Sequence, residues 1–234
     1  MTALLEIDEL NAWYGSSHVL HGVSLRIGEG EVVVLAGRNG SGRSTLAKAL
    51  MGLVHAEGAV NFRGVSLIGK RPYAIARMGM GYVPEQRDVF PTLSVRENLL
   101  LGMKRGGSHF GVAEAERIFP ILYERKAVKA GLLSGGEQQM LALARTLMGD
   151  PALVIIDEPT EGLAPQIVKQ VAACLKSLQT RGVAILLIEQ RMTMARELAT
   201  RIAVMGHGKI VFDDTPDAVA ANERITREWL SVGV

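Results

Sequence analysis

Three apolar runs in this chain lack the alternation of a half-buried strand: Val32-Val33-Val34-Leu35-Ala36, Leu153-Val154-Ile155-Ile156 and Val183-Ala184-Ile185-Leu186-Leu187-Ile188. A β-prone run with no polar interruption has both faces out of water. That is the condition of a strand in a parallel sheet covered by helices on either side. Helical patterns follow the first two runs, at about 44–51 and 165–180, and strand then helix, repeated, implies an α/β core. Other strands, at 4–10, 22–27 and 59–63, are short and partly alternating, as in an antiparallel layer near the N-terminus. Two more, at 202–205 and 209–212, flank Gly206-His207-Gly208, which reads as a hairpin turn. The stretch from about 95 to 129 is mostly helical and charged, like an inserted lobe. The tail, 215–230, reads as one or two helices with Asp217 and Glu223 in early turns.

Chemistry collects at the ends of the first two runs. Gly37-Arg38-Asn39-Gly40-Ser41-Gly42-Arg43-Ser44-Thr45 follows a buried strand and opens a helix. Glycines at this spacing let successive N–H groups curl around one anion, and the helix N-terminus adds partial positive charge. Ser44 then stands where a hydroxyl holds Mg²⁺. The P-loop pattern asks for lysine at position 43, where this chain has arginine; a glycine-rich turn with no ligand is the plain alternative. Asp157-Glu158-Pro159 ends the second run. An acid there suits Mg²⁺ held through water, and Glu158 beside it suits a general base acting on the attacking water. A strand-end acid facing solvent is common when it is alone and less so as an Asp-Glu pair downstream of a P-loop. Leu133-Ser134-Gly135-Gly136-Glu137-Gln138-Gln139 opens another helix, either as a second anion-binding start or as an ordinary N-cap turn. Two phosphate-binding starts in one chain imply two ligands, or one ligand shared between two chains.

The remaining features mostly exclude. The 234 residues suffice for one sizeable domain or two small ones, and a net charge of +2 argues against a protein held on nucleic acid by charge alone. The basic cluster Glu124-Arg125-Lys126 with Lys129 reads as a solvated face. No apolar run approaches the roughly 20 residues that cross a bilayer, and the acidic start Met1 to Asp8 does not resemble a signal peptide, so a cytoplasmic chain is expected. Cys174, the single cysteine, falls in a helical apolar pattern with Val168, Val171, Leu175 and Leu178, which favours a buried packing role. His18 and His21 are closely spaced but lack further ligands, so no structural metal site is expected.

In this order and spacing, the P-loop, Leu-Ser-Gly-Gly-Glu-Gln and Asp-Glu-Pro make the chain resemble an ABC ATPase over essentially its whole length. Within that superfamily it most resembles the LivF-type subunits of branched-chain amino-acid importers. The residues that carry this are Gly81 to Glu85, Phe90 to Leu99, Leu133 to Leu141 and Asp157 to Pro165. The resemblance implies one ABC ATPase domain over 1–234: a RecA-like P-loop core, an N-terminal antiparallel β subdomain and a helical insert at about 87–132. It implies that Tyr14 stacks on adenine, that Gly37, Arg38, Asn39, Gly40, Ser41, Gly42, Arg43, Ser44 and Thr45 hold the phosphates of ATP, and that Ser44, Asp157 and Glu85 serve Mg²⁺. Glu158 is then the catalytic base. Gln190 stands where many ABC ATPases have a switch histidine, and Glu85 where most have the Q-loop glutamine. Ser134, Gly135 and Gly136 would meet the γ-phosphate bound to a partner chain. The D-loop, Thr160 to Pro165, carries Ala164 in place of the usual aspartate.

The partners so implied are integral-membrane permease subunits, a second ATPase subunit (a LivG-type paralogue or a second copy) and, indirectly, a periplasmic binding protein. The chain would be peripheral on the inner face of the plasma membrane. Other cargoes on the same machinery are urea, another small polar metabolite, or exported lipopolysaccharide. Arginine at 43 keeps the charge of the P-loop lysine but is planar and bulkier. Retained nucleotide binding with slower hydrolysis is expected, with a nucleotide-binding subunit of degenerate hydrolysis as the extreme case.

Overall fold

The structure, a computed structural model, describes residues 3–104, 106, 108–190 and 192–230. The strands, in chain order, are β1 (Ala3–Tyr14), β2 (Ser17–Gly28), β3 (Val32–Gly37), β4 (His55–Phe62), β5 (Val65–Ser66), β6 (Met80–Val83), β7 (Leu153–Asp157), β8 (Ala184–Ile188), β9 (Arg201–Gly206) and β10 (Lys209–Asp214). They form an antiparallel sheet of order β2-β1-β4-β5 and a mixed sheet of order β10-β9-β3-β8-β7-β6. The helices are α1 (Arg43–Leu50), α2 (Pro72–Arg77), α3 (Val95–Gly102), α4 (Val112–Ile118), α5 (Pro120–Glu124), α6 (Gly135–Leu147), α7 (Pro165–Thr180), α8 (Met192–Leu198), α9 (Pro216–Ala221) and α10 (Glu223–Ile225).

The continuous apolar runs are explained by the two cores. Along β3, Val32, Val34 and Ala36 face one cluster while Val33 and Leu35 face the other; β7, β8 and β9 alternate in the same way. One core lies under α6, α7, α8 and the C-terminal helices, and the other under α1 and the antiparallel sheet. Both faces are thus dry, and every residue of β3, β7 and β8 is buried. β3, β8 and β7 are parallel neighbours in register, with Leu35 and Asp157 both opposite Ile188. Their C-terminal ends therefore open at one edge of the sheet, the place where open α/β sheets bind ligands.

Some elements depart from the sequence reading. β1 and β2 are longer than 4–10 and 22–27, because register shifts between Ile7 and Leu10 and again near Ala12 break the two-residue alternation. Glu9 sits at such a shift with φ +48°. The strand read at 202–205, now β9, is antiparallel to β10 across the hairpin but parallel to β3 on its other side. The helical stretch of 95–129 is divided into α3, α4 and α5, with α5 opening on Pro120. A third helix, α8, follows β8.

The lobe is tied to the core by packing and charge. Ser94 and Glu97 form a capping box at the start of α3, which packs on α6. Glu114 on α4 accepts from Arg117 at 2.8 Å and from Arg181, which follows α7; these hydrogen bonds, then the two charges, hold its carboxyl down to about 2. Cys174 is buried on α7, where desolvation pushes its thiol up to about 12 and leaves no thiolate at neutral pH. Among the described residues no helix is long and apolar enough to cross a membrane.

Candidate functional site

The turn after β3 is shaped by what cannot fit there. Gly37 has φ +152°, and a Cβ on it would lie 2.4 Å from the Met205 carbonyl oxygen and 2.9 Å from Ser41 Oγ. Only glycine lets the chain pass β9 this closely. The loop then delivers Gly42 (φ +105°) as N-cap of α1, a conformation that L side chains rarely adopt. At the end of β7, Glu158 has φ +46°, and its N–H donates to the Ile188 carbonyl at 2.9 Å. A non-glycine residue held left-handed at a strand end is a strained position that its surroundings must impose.

These ends enclose a cavity of about 380 Å³ lined by Val19, Asn39, Gly40, Ser41, Gly42, Arg43, Ser44, Thr45, Glu85, Glu158, Glu161 and Gln190. Ten residues named from the sequence thus meet in one place, from loops up to 151 positions apart. Asp157 joins them through Ser44, whose hydroxyl donates to its Oδ1 at 3.2 Å. Gly37 shapes the loop from behind. Arg38 turns the other way, into a neighbouring cavity of about 280 Å³ shared with His207 and Trp229. Tyr14 is outside the lining, exposed at the end of β1 with Lys48 Nζ 5.9 Å from its ring centre. Ser134, Gly135 and Gly136 are also outside, at the start of α6. There Ser134 forms a capping box with Glu137.

Four side chains close a polar square at the mouth of the loop. Arg43 Nη2 donates to Glu158 Oε1 at 2.8 Å and to Asn39 Oδ1 at 3.2 Å. Gln190 Nε2 donates to the same two oxygens, at 2.8 Å and 2.6 Å. The Arg43 and Glu158 side chains are 5% and 11% exposed, so this ion pair is largely out of water. Arg43 Nη1 and Ser41 Oγ are buried without a partner. Unpartnered buried donors are rare, and here they line a basic, glycine-lined loop at a helix start, which is the donor set for phosphate.

The same corner is short of positive charge on its acidic side. Burial, followed by the charges of Glu158 and Glu85, pushes the Asp157 carboxyl up to about 6 against the pull of its hydrogen bond with Ser44. Glu161 is also raised, by hydrogen bonding with Glu158 and then by that group's charge. A hydroxyl beside a carboxylate, with more carboxylates near, is a hard-oxygen set that a divalent cation would relieve. Among the described residues no group of three or more His, Cys, Asp or Glu forms a self-sufficient metal site.

Three contributors were not evident in the sequence. Glu161 lines the cavity but reads only as part of a loop. Buried Glu189 accepts from Thr160 Oγ1 at 2.8 Å and from the Gln190 N–H at 2.9 Å, anchoring the base of the Gln190 turn. Arg87 (φ +52°) donates to the Glu161 carbonyl at 3.1 Å, and its Nη1 lies 2.4 Å from where a Cβ on Gly135 would sit. It connects the start of α6 to the cavity wall. No spacing rule marks it, because its partners come from two distant loops.

Comparison with known proteins gives concordant findings. A family model described as ABC transporter matches residues 20–161. The chain is 38% identical to the high-affinity branched-chain amino acid transport ATP-binding protein BraG of Pseudomonas aeruginosa, over 97% of this chain and 99% of that one. It is 34% identical to the glutamate/aspartate import ATP-binding protein GltL of Escherichia coli, over 92% of each. A nucleotide-free ATP-binding cassette from an ABC transporter superposes with a TM-score of 0.83 at 25% identity, covering 100% of both chains.

Proposed function

The chain belongs to the ABC transporter family of ATP-binding proteins, and from that membership we propose that it hydrolyses ATP to power an importer for branched-chain or other hydrophobic amino acids. The observation that carries the chemistry is the meeting of Arg43, with its unpartnered buried nitrogen, and Glu158 at the mouth of the loop after β3. The backbone of 37–45 and the guanidinium hold phosphate oxygens. Water attacks the γ-phosphorus and gives its proton to Glu158; the bond to the bridging oxygen breaks, leaving ADP and inorganic phosphate. Ser44 and Asp157, with Glu85 near, would hold Mg²⁺, which when bound neutralises phosphate charge. Gln190 orients Glu158 through the hydrogen bond they share.

Ser134, Gly135 and Gly136 are outside their own chain's cavity, which supports a head-to-tail pair in which they complete the partner's site. That partner is a second copy or a paralogue. ATP between the two halves holds them closed, and loss of the γ-phosphate lets them open. With cysteines placed at Ser41 and Gly135, disulfide crosslinking between chains should need ATP. Crosslinking of equal yield without nucleotide would sink the ATP-gated pair.

A second groove, about 610 Å³, lies away from the chemistry. Its rim carries Leu53, Tyr73, Phe90 and Leu101, which are 51%, 57%, 49% and 57% exposed. Large apolar side chains gathered in the open mark a docking surface. We assign it to a permease subunit, which would hold the chain on the inner face of the membrane. The cargo is read from the relatives and is tested directly. Proteoliposomes carrying this chain with its own membrane subunits and binding protein should accumulate leucine when ATP is enclosed. Uptake of urea or glutamate instead would reassign the cargo and leave the ATPase reading intact.

A further inference from the structure

The guanidinium and the carboxylate that chemistry needs apart are bonded to each other. Arg43 reaches Glu158 with Nη2 and leaves Nη1 buried and unpartnered inside the same loop. Glu158 Oε1 also accepts from Gln190, so the oxygen that would take a proton from water is already engaged twice. Asn39, from the loop itself, accepts from the same two donors and so ties Arg43 to Gln190. From this geometry we infer that Arg43, besides meeting phosphate, locks the base: its guanidinium holds Glu158, and phosphate competes with Glu158 for it. The inference rests on the nucleotide-site reading above and deepens it.

The physical basis is the asymmetry of a two-armed cation. One ammonium has a single charge centre, whereas a guanidinium presents separate N–H groups in a fixed fork. Phosphate oxygens meeting Nη1 add a second, more highly charged claimant to a cation already in use. Binding must therefore spend part of its energy on loosening a largely buried charge-assisted pair, and the base becomes free in proportion to how far the phosphate wins. Glu158 has a left-handed backbone with its N–H fixed to Ile188, which sets the point from which its carboxylate reaches into the site.

Equilibrium binding of ATP in magnesium-free buffer, by titration calorimetry, tests this without hydrolysis and without a metal bridging carboxylate to phosphate. Wild type is compared with Glu158→Gln and Glu85→Gln. Glu85 lines the same cavity and carries the same charge, but Arg43 is not bonded to it. The lock predicts that Glu158→Gln tightens ATP by about tenfold more than Glu85→Gln does, the latter reporting relief of negative charge in the same cavity. That figure is the ratio equivalent to about 1.4 kcal/mol, the size of the charge assistance that the Arg43 pair loses. Equal tightening by both variants would mean simple relief of negative charge and would overturn the lock alone. No binding by any of the three would overturn the nucleotide site itself. Thermal unfolding of each variant confirms that the compared proteins are folded.

Discussion

Phosphate release by Glu158→Gln, measured at saturating ATP with Mg²⁺, is expected to fall by about 10²–10⁴-fold, the usual contribution of a positioned general base. The carboxamide is nearly isosteric and its oxygen can still accept as a neutral group, so the fold survives, while the charge assistance that holds Arg43 is lost. Lost with it is the capacity to take a proton. The same variant binds ATP more tightly if Arg43 is held by the carboxylate, and the opposite signs of the two effects separate the roles of one residue. Retention of wild-type turnover would remove Glu158 as the base. Glu161 would then be the group to examine, since it lines the cavity and is already held above its ordinary range by hydrogen bonding with Glu158.

Much of this site was legible because its parts are local. Strand, glycine loop and helix start are contiguous at 32–50, and the burial of β3 on both faces is visible as an unbroken apolar run. The Asp157-Glu158 pair follows another such run, whereas Gln190 was named from the resemblance; the parallel register is what brings the three strand ends to one edge. The same rule failed for β1 and β2, where bulges interrupt the alternation that marks a strand. Nor does any pattern announce the Arg43–Glu158 pair. Its partners are 115 positions apart, and only the fold determines that Nη2 meets Oε1 rather than solvent. Arg87 was silent for a similar reason: its contacts are to a backbone carbonyl and to the space left by Gly135, and neither has a side-chain signature. Tyr14 shows the converse, since the resemblance gives it a role while the cavity lacks it in its lining.

Arg43→Lys should raise turnover, by up to about 100-fold, the cost commonly carried by a reacting group misplaced by about 1 Å. An arginine can touch phosphate through Nη1 and still keep Glu158 on Nη2, so a loaded site partitions between a held and a free base. A lysine carries its charge on one compact ammonium with rotatable donors, so a phosphate that draws it in leaves no fixed second arm of a fork on Glu158. The competent fraction rises, and turnover rises with it, since rate scales with the population able to react. Affinity for ATP should stay within about tenfold of wild type, because the fork's extra contact is lost as the competing pair is released. Phosphate release and ATP binding measured on the same preparations decide the matter. Unchanged or lower turnover with intact binding would show that the arginine loop is already suited to the reaction, and that the Arg43–Glu158 pair is broken in every loaded site rather than limiting the rate.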